Sequence, residues 1–79
     1  MKIEIRLFAS LAPYGKTPLI SPEGMMECKP PTTVADLVEA LAVPQDEIKL
    51  VFLNGKHAGL DAAVKEGDRI GLFPPVGGG

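Results

Sequence analysis

The chain has 79 residues, which suits a single domain near the lower end of the sizes that fold unaided. A composition of 46% hydrophobic and 23% charged residues indicates a globular domain and excludes a disordered one. The formal net charge is −2 and no cluster of lysine and arginine is present, which argues against nucleic-acid binding. A mildly acidic surface suits a basic protein partner better.

No apolar run approaches the roughly 18–20 residues that span a bilayer, and no secretory leader precedes Lys2, so we expect no membrane association. The single cysteine, Cys28, excludes a disulfide framework, which fits the cytoplasm. One cysteine and the single histidine, His57, cannot form a four-ligand metal site. We therefore expect a cytoplasmic protein that binds no metal or cofactor itself.

Residues 2–8 alternate between polar and apolar side chains, which predicts a half-buried strand. Ile3, Ile5 and Leu7 would face the core. Phe8 falls on the opposite, polar face, where a large aromatic ring is out of place.

After this strand the patterns are weaker. Residues 9–14 predict a short helical turn that ends at Pro13. Residues 17–24, with prolines, a serine and a glycine, predict a loop with a stub of strand near residues 19–20. Residues 25–29 predict a second strand, which the two following prolines would end.

One convincing helix follows. Thr33 is a good N-cap, and Asp36 three residues later gives a capping-box-like arrangement. Pro44 would end the helix after about two and a half turns. The apolar positions share one face at the i, i+3, i+4, i+7 spacing, and they are Val34, Leu37, Val38 and Leu41.

The second half of the chain predicts a hairpin and a final strand. Asn54-Gly55 is a strong signal for a two-residue hairpin between residues 50–53 and 56–58. Residues 60–64 predict a helical turn, and a tight turn at residues 66–68 leads into the last strand.

One helix packed across one face of a small mixed sheet of four to five strands buries these apolar faces most economically. The predicted fold class is therefore α+β. If the first and last strands are parallel neighbours, Phe8 and Phe73 lie at the same end of the sheet, on the face away from the helix. Two such rings would form a docking patch, unless each ring only covers its own strand.

The chain ends in a stretch with little side-chain bulk. Its two prolines stop the preceding strand from continuing, and its glycines can pass through a gap as narrow as a backbone. The stretch could extend about 20 Å at roughly 3.3–3.6 Å per residue. We expect a folded domain of residues 1–73 and a flexible tail of residues 74–79, although the glycines alone would also fit a frayed terminus.

The strand and helix order resembles the ubiquitin-like β-grasp fold. Several segments resemble the MoaD/ThiS sulfur-carrier family, and within it the small subunits of molybdopterin synthase. These segments are Ile5-Arg6-Leu7-Phe8-Ala9, Asn54-Gly55, and Gly67-Asp68 leading into Phe73-Pro74-Pro75-Val76 before the terminal glycines.

This resemblance implies that Gly79, with Gly78, forms the family's reactive double glycine, while Gly77 takes a variable position. An E1-like adenylating enzyme of the MoeB/ThiF type, using ATP and Mg, would activate the Gly79 carboxylate. A sulfurtransferase would supply sulfur for a C-terminal thiocarboxylate. A large synthase subunit of the MoaE type would then receive the tail, and the chain itself would be a non-catalytic subunit.

The resemblance also implies a partner-binding surface that continues from the folded domain into the tail. Its members are Phe8, His57, Phe73, Pro74, Pro75, Val76 and Gly77. His57 departs from the family because that position is commonly apolar. Three alternatives stay open: a carrier for thiamine thiazole synthesis, a ubiquitin-like modifier conjugated through Gly79, and a binding domain with an incidental tail.

Overall fold

The structure is a computed structural model that describes residues 1–75. It contains seven strands and one α-helix, together with the 3₁₀ helices Ala9–Gly15 and Gln45–Glu47. The elements are β1 Lys2–Leu7, β2 Met25–Glu27, β3 Thr32–Thr33, α1 Val34–Ala40, β4 Leu50–Leu53, β5 Lys56–Ala58, β6 Ala63–Val64 and β7 Arg69–Phe73.

Five strands form one mixed sheet in the order β2-β1-β7-β4-β5. The central strands β1 and β7 are parallel, with Ile5 opposite Ile70, whereas their outer neighbours pair antiparallel. Strands β3 and β6 pair separately. The predicted α+β class is confirmed. The sequence predicted four to five strands in the sheet, and the sheet has five.

The core lies between α1 and the inner face of the sheet. The period-two alternation of β1 and β7 and the helical spacing of α1 supply most of its side chains, as the sequence predicts. Full burial of each large apolar side chain stabilises the fold by about 1.5–3 kcal/mol. The largest fully buried side chains are Ile3, Leu11, Val34, Leu37, Val38, Ile70 and Leu72.

The start of α1 is as predicted, but its end is not. The Thr33 Oγ1 accepts a hydrogen bond from the Asp36 N–H at 3.3 Å, and the Asp36 carboxylate accepts one from the Thr33 N–H at 2.9 Å. The helix ends at Ala40, before Pro44, because Ala42 adopts a left-handed conformation with φ 59°. The Val43 N–H then reaches back to the Val38 carbonyl, which gives a Schellman ending.

Two local predictions were only partly correct. The helical turn predicted for residues 60–64 is limited to one turn, in which the Ala62 N–H donates to the Gly59 carbonyl, and the next two residues form β6, which pairs with β3. The Leu60 and Ala62 carbonyls accept the first N–H groups of α1. The first N–H groups of a helix have no acceptor within the helix, and the path of residues 60–64 brings carbonyl acceptors to them. Local helix propensity does not include such contacts between distant segments. Pro13 does not end the first 3₁₀ helix, which runs on to Gly15.

The β4–β5 hairpin is tied to the start of β7 through Asn54. Asn54 and Gly55 have φ values of 54° and 82°, as a type I′ turn requires. The Asn54 Oδ1 accepts a hydrogen bond from the Arg69 N–H at 2.9 Å, and its Nδ2 donates to Asp68 Oδ1 at 3.0 Å. These bonds hold the hairpin in register with β7 on the outer face of the sheet.

We predict that Ala42→Gly stabilises the protein. A left-handed conformation costs an L-residue about 1–2 kcal/mol, and the greater freedom of glycine in the unfolded chain offsets part of that gain. The free energy of unfolding in urea should rise by about 0.5–1 kcal/mol. Ala40→Gly, at the last helical position, is the matched control and should lower it by about 0.5–1 kcal/mol. Equal losses in both variants would contradict the prediction.

Candidate docking face

The parallel pairing of β1 and β7 brings Phe8 and Phe73 together. Both strands end at the same edge of the sheet, and the Phe8 N–H donates to the Leu72 carbonyl at 3.1 Å. The two rings are stacked, with centroids 4.2 Å apart and planes 6° from parallel. They lie on the outer face of the sheet, opposite the helix, where the alternation of both strands places them.

Phe52 extends this pair toward the edge of the sheet, although the sequence reading did not single it out. Its ring meets Phe73 edge-on at 5.4 Å and 84°, and His57 meets Phe52 at 6.1 Å and 69°. Residues 50–53 are all apolar, so their sequence does not indicate which side chains face outward. The hairpin register resolves this, since Phe52 pairs with His57 and with Gly71 while Val51 is buried.

We call Phe8, Phe52, His57 and Phe73 the docking face. Phe8 is 39% exposed, His57 is exposed, and Phe52 and Phe73 are half-buried. Contiguous exposed rings on a small domain are typical of a protein interaction site. The structure therefore brings together the three predicted surface residues of the folded domain; their binding role stays a prediction.

Gly71 lies next to the edges of the Phe8 and Phe73 rings. A Cβ atom at this position would stand 3.4 Å from both the Phe73 Cε1 and the Phe8 Cε2 atoms. An open depression of about 340 Å³ lies above Gly71. It is lined by the rings on one part and by the charged side chains of Glu4, Arg6 and Arg69 on another.

The docking face adjoins the start of the tail. Pro74 follows Phe73 directly and is half-buried, while Pro75 is exposed. The remaining predicted site residues lie outside the described residues, and they are Val76, Gly77, Gly78 and Gly79.

The other chemistry-bearing side chains are not gathered with this face. Cys28 is half-buried just after β2, where its N–H donates to the Met1 carbonyl. Within residues 1–75 no group of three or more His, Cys, Asp and Glu side chains is placed to hold a metal ion. In the same range, no helix has the length and apolar character needed to cross a membrane.

A helix packed on a mixed sheet with parallel central strands, and an aromatic outer face beside the C-terminal strand, defines a ubiquitin-like β-grasp domain. The family model described as Mut7-C ubiquitin matches residues 1–77, and the chain belongs to this family. No curated protein matches the chain.

Solved structures of ubiquitin-like proteins are similar to it over almost their whole lengths. Two structures of the small archaeal modifier protein SAMP1 from Haloferax volcanii match with 26% and 29% identity and TM-scores of 0.68 and 0.71. They cover 100% and 95% of this chain and 100% and 98% of their own.

A complex of subunits 1 and 2 of the molybdopterin-converting factor from Helicobacter pylori also matches. The identity is 24% and the TM-score is 0.58, and the match covers 100% of this chain and 100% of the matched chain in that complex. At that identity the likeness concerns the fold. The chain thus has the ubiquitin-like fold that the sequence resemblance predicted, with MoaD-like and SAMP1 proteins as structural neighbours.

We predict that Phe8 and Phe73 stabilise the fold cooperatively. Stacked aromatic pairs contribute about 0.5–1.5 kcal/mol beyond the area they bury. A double-mutant cycle with Phe8→Leu and Phe73→Leu, measured by urea unfolding, should give a coupling energy in that range. Phe8→Leu combined with His57→Ala, three strands away, is the control and should be additive. Additivity in both cycles would contradict the stacking interaction.

Proposed function

We propose that this chain is a sulfur carrier whose C-terminal glycine, Gly79, is adenylated and converted to a thiocarboxylate. It would then donate sulfur as the small, non-catalytic subunit of a molybdopterin synthase-type complex. The observation that carries the proposal is the Phe8–Phe73 stack, which lies at the exact strand end from which the chain continues into the glycine tail.

The chemistry requires a partner enzyme. A carboxylate is a poor electrophile, and transfer of AMP from ATP, with loss of pyrophosphate, makes its carbon open to attack. A sulfur nucleophile then displaces AMP. We assign the first step to an E1-like enzyme of the MoeB/ThiF type that holds ATP and Mg, and the sulfur supply to a sulfurtransferase.

The energetics explain why a folded domain would carry such a tail. Ordering backbone costs about 1–2 kcal/mol per residue, so five tail residues fixed in a narrow cleft cost roughly 5–10 kcal/mol. Glycines have no side chains with which to offset this cost. The docking face supplies ring surface beside the tail, so the free energy of docking the domain can order the tail.

A large subunit of the MoaE type is the proposed acceptor of the loaded tail. The Helicobacter pylori neighbour is a complex of subunits 1 and 2, which supports a two-subunit arrangement for this fold. In such a complex the tail of this chain would deliver sulfur into the site of its partner.

A ubiquitin-like modifier conjugated through Gly79 is the second candidate. The similarity to the two SAMP1 structures, at 26% and 29% identity, is the observation that supports this candidate. Adenylation of the terminal carboxyl is common to both candidates. They differ in the acceptor: a sulfur nucleophile in one case and a lysine amine in the other. A ThiS-type carrier shares the sulfur chemistry and differs only in the final acceptor.

Intact mass spectrometry of the protein purified from its own cells tests the proposal. A carrier should show a form in which one oxygen is replaced by one sulfur, whereas a modifier should show a ladder of protein adducts. A variant with one alanine added after Gly79 should lose the sulfur form because its terminal carboxyl is no longer on glycine. Persistence of the sulfur form in the untrimmed variant, or a cellular chain that continues beyond Gly79, would overturn the proposal.

We further predict that Phe73→Asp weakens binding to the adenylating enzyme without unfolding the protein. The substitution removes the stacking partner of Phe8 and places a charge in the docking face, which costs about 2 kcal/mol or more at a binding hot spot. Leu19→Asp is the matched control, because Leu19 is 50% exposed and lies outside the face. Calorimetric titration gives both affinities, and equal affinities for the two variants would rule out the face.

A further inference from the structure

We propose that the docking face selects a partner surface that presents an apolar side chain to the depression above Gly71 and a carboxylate to Arg69. This inference rests on the proposed function, because it concerns the partner that the same face engages. It gives that partner a definite chemistry, acidic beside apolar.

Three charged groups line the depression, and their charges do not cancel. Glu4 lies directly opposite Arg69 in the β1–β7 register, and Arg6 follows on the same face of β1. The Arg6 Nε donates to the Glu4 carboxylate at 2.7 Å. The depression is therefore lined by two guanidinium groups and one carboxylate, and that carboxylate pairs with Arg6. Among residues 1–75, Arg69 takes part in no salt bridge.

The local excess of positive charge favours an acidic partner, whereas the net charge of the whole chain favours a basic one. A net charge of −2 favours a basic partner, but of the ten acidic residues in the chain only Glu4 lines the depression. Complementarity is set by the groups that a partner covers, which here are Arg69 and the Glu4–Arg6 pair.

Covering Arg69 requires a compensating anion. A guanidinium that loses its water without gaining a partner is costly, whereas a carboxylate can pair with its planar fork through two hydrogen bonds. Because the Glu4 carboxylate pairs with Arg6, it does not neutralise Arg69 as well. The missing anion must come from the partner.

The apolar half of the site is set by Gly71. The ring edges of Phe8 and Phe73 border the open space above it, and Phe52 also lines this space. A depression of about 340 Å³ offers room for one large apolar side chain next to these rings. Such a side chain would exclude water from the neighbouring ion pair and strengthen it.

Binding of purified E1-like adenylating enzyme from the same cell, measured by calorimetric titration at low and high salt, tests the inference. Arg69→Glu should weaken binding about tenfold or more, because it turns an attractive contact into a repulsive one. Lys29→Glu makes the same change in net charge at an exposed position outside the face, and we expect a change within about twofold. Arg69→Ala should flatten the salt dependence.

Substitutions at Gly71 test the apolar half. Gly71→Leu fills the depression without altering charge and should weaken binding about tenfold. Gly71→Ala adds only a Cβ atom, which would be in ordinary contact at 3.4 Å, and should weaken binding less. This variant provides the test if the leucine side chain disturbs folding. Thermal unfolding verifies that each variant is folded.

The outcomes separate this inference from the proposed function. If the wild-type chain binds the enzyme and Arg69→Glu binds no worse than Lys29→Glu, the inference is overturned while the carrier role stands. Full affinity in both Gly71 variants would likewise overturn the apolar half. If the wild-type chain does not bind the enzyme at all, the proposed function and this inference fail together.

Discussion

The parallel pairing of β1 and β7 is the constraint on which the rest of the molecule depends. Parallel neighbours need a long crossover, and here the crossover contains β2, α1 and the β4–β5 hairpin. Its apolar side chains cover one face of the sheet, so the other face is left open. Because both strands end at one edge, Phe8 and Phe73 are brought into contact beside the start of the tail.

The open face combines two kinds of surface. Near the tail it is aromatic, and toward the other end it has Glu4, Arg6 and Arg69, with Gly71 between the two halves. Aromatic contact supplies binding free energy, whereas charge placement supplies selectivity. The proposed carrier would meet an activating enzyme, a sulfur source and an acceptor in turn, and one face could serve more than one of these proposed partners. Different partners could then contact the aromatic part and the charged part of this face to different extents.

Particular residues set the limits of sequence reasoning at this site. Phe8 was conspicuous because strict alternation placed a ring among charged neighbours, and Phe73 followed from the same argument on β7. Phe52 was missed because an apolar run has no alternation from which to read a facing direction. The same alternation predicts that Arg69 and Gly71 face outward, but nothing in the sequence marked them as members of a site, and the net charge of the whole chain indicated the opposite kind of partner.

The sequence by itself determined the elements whose signals are local: the alternating strands, the capping box at Thr33 and Asp36, the Asn54-Gly55 turn, and a tail without side-chain bulk. Only the tertiary structure decided the path of residues 60–64 and the neighbours of Gly71. Those features depend on backbone groups and side chains that are distant in the chain and satisfy one another only once packed. Local propensity has no access to such partners, and for that reason the contacts within the docking face, and Phe52 as its fourth member, had to come from the fold.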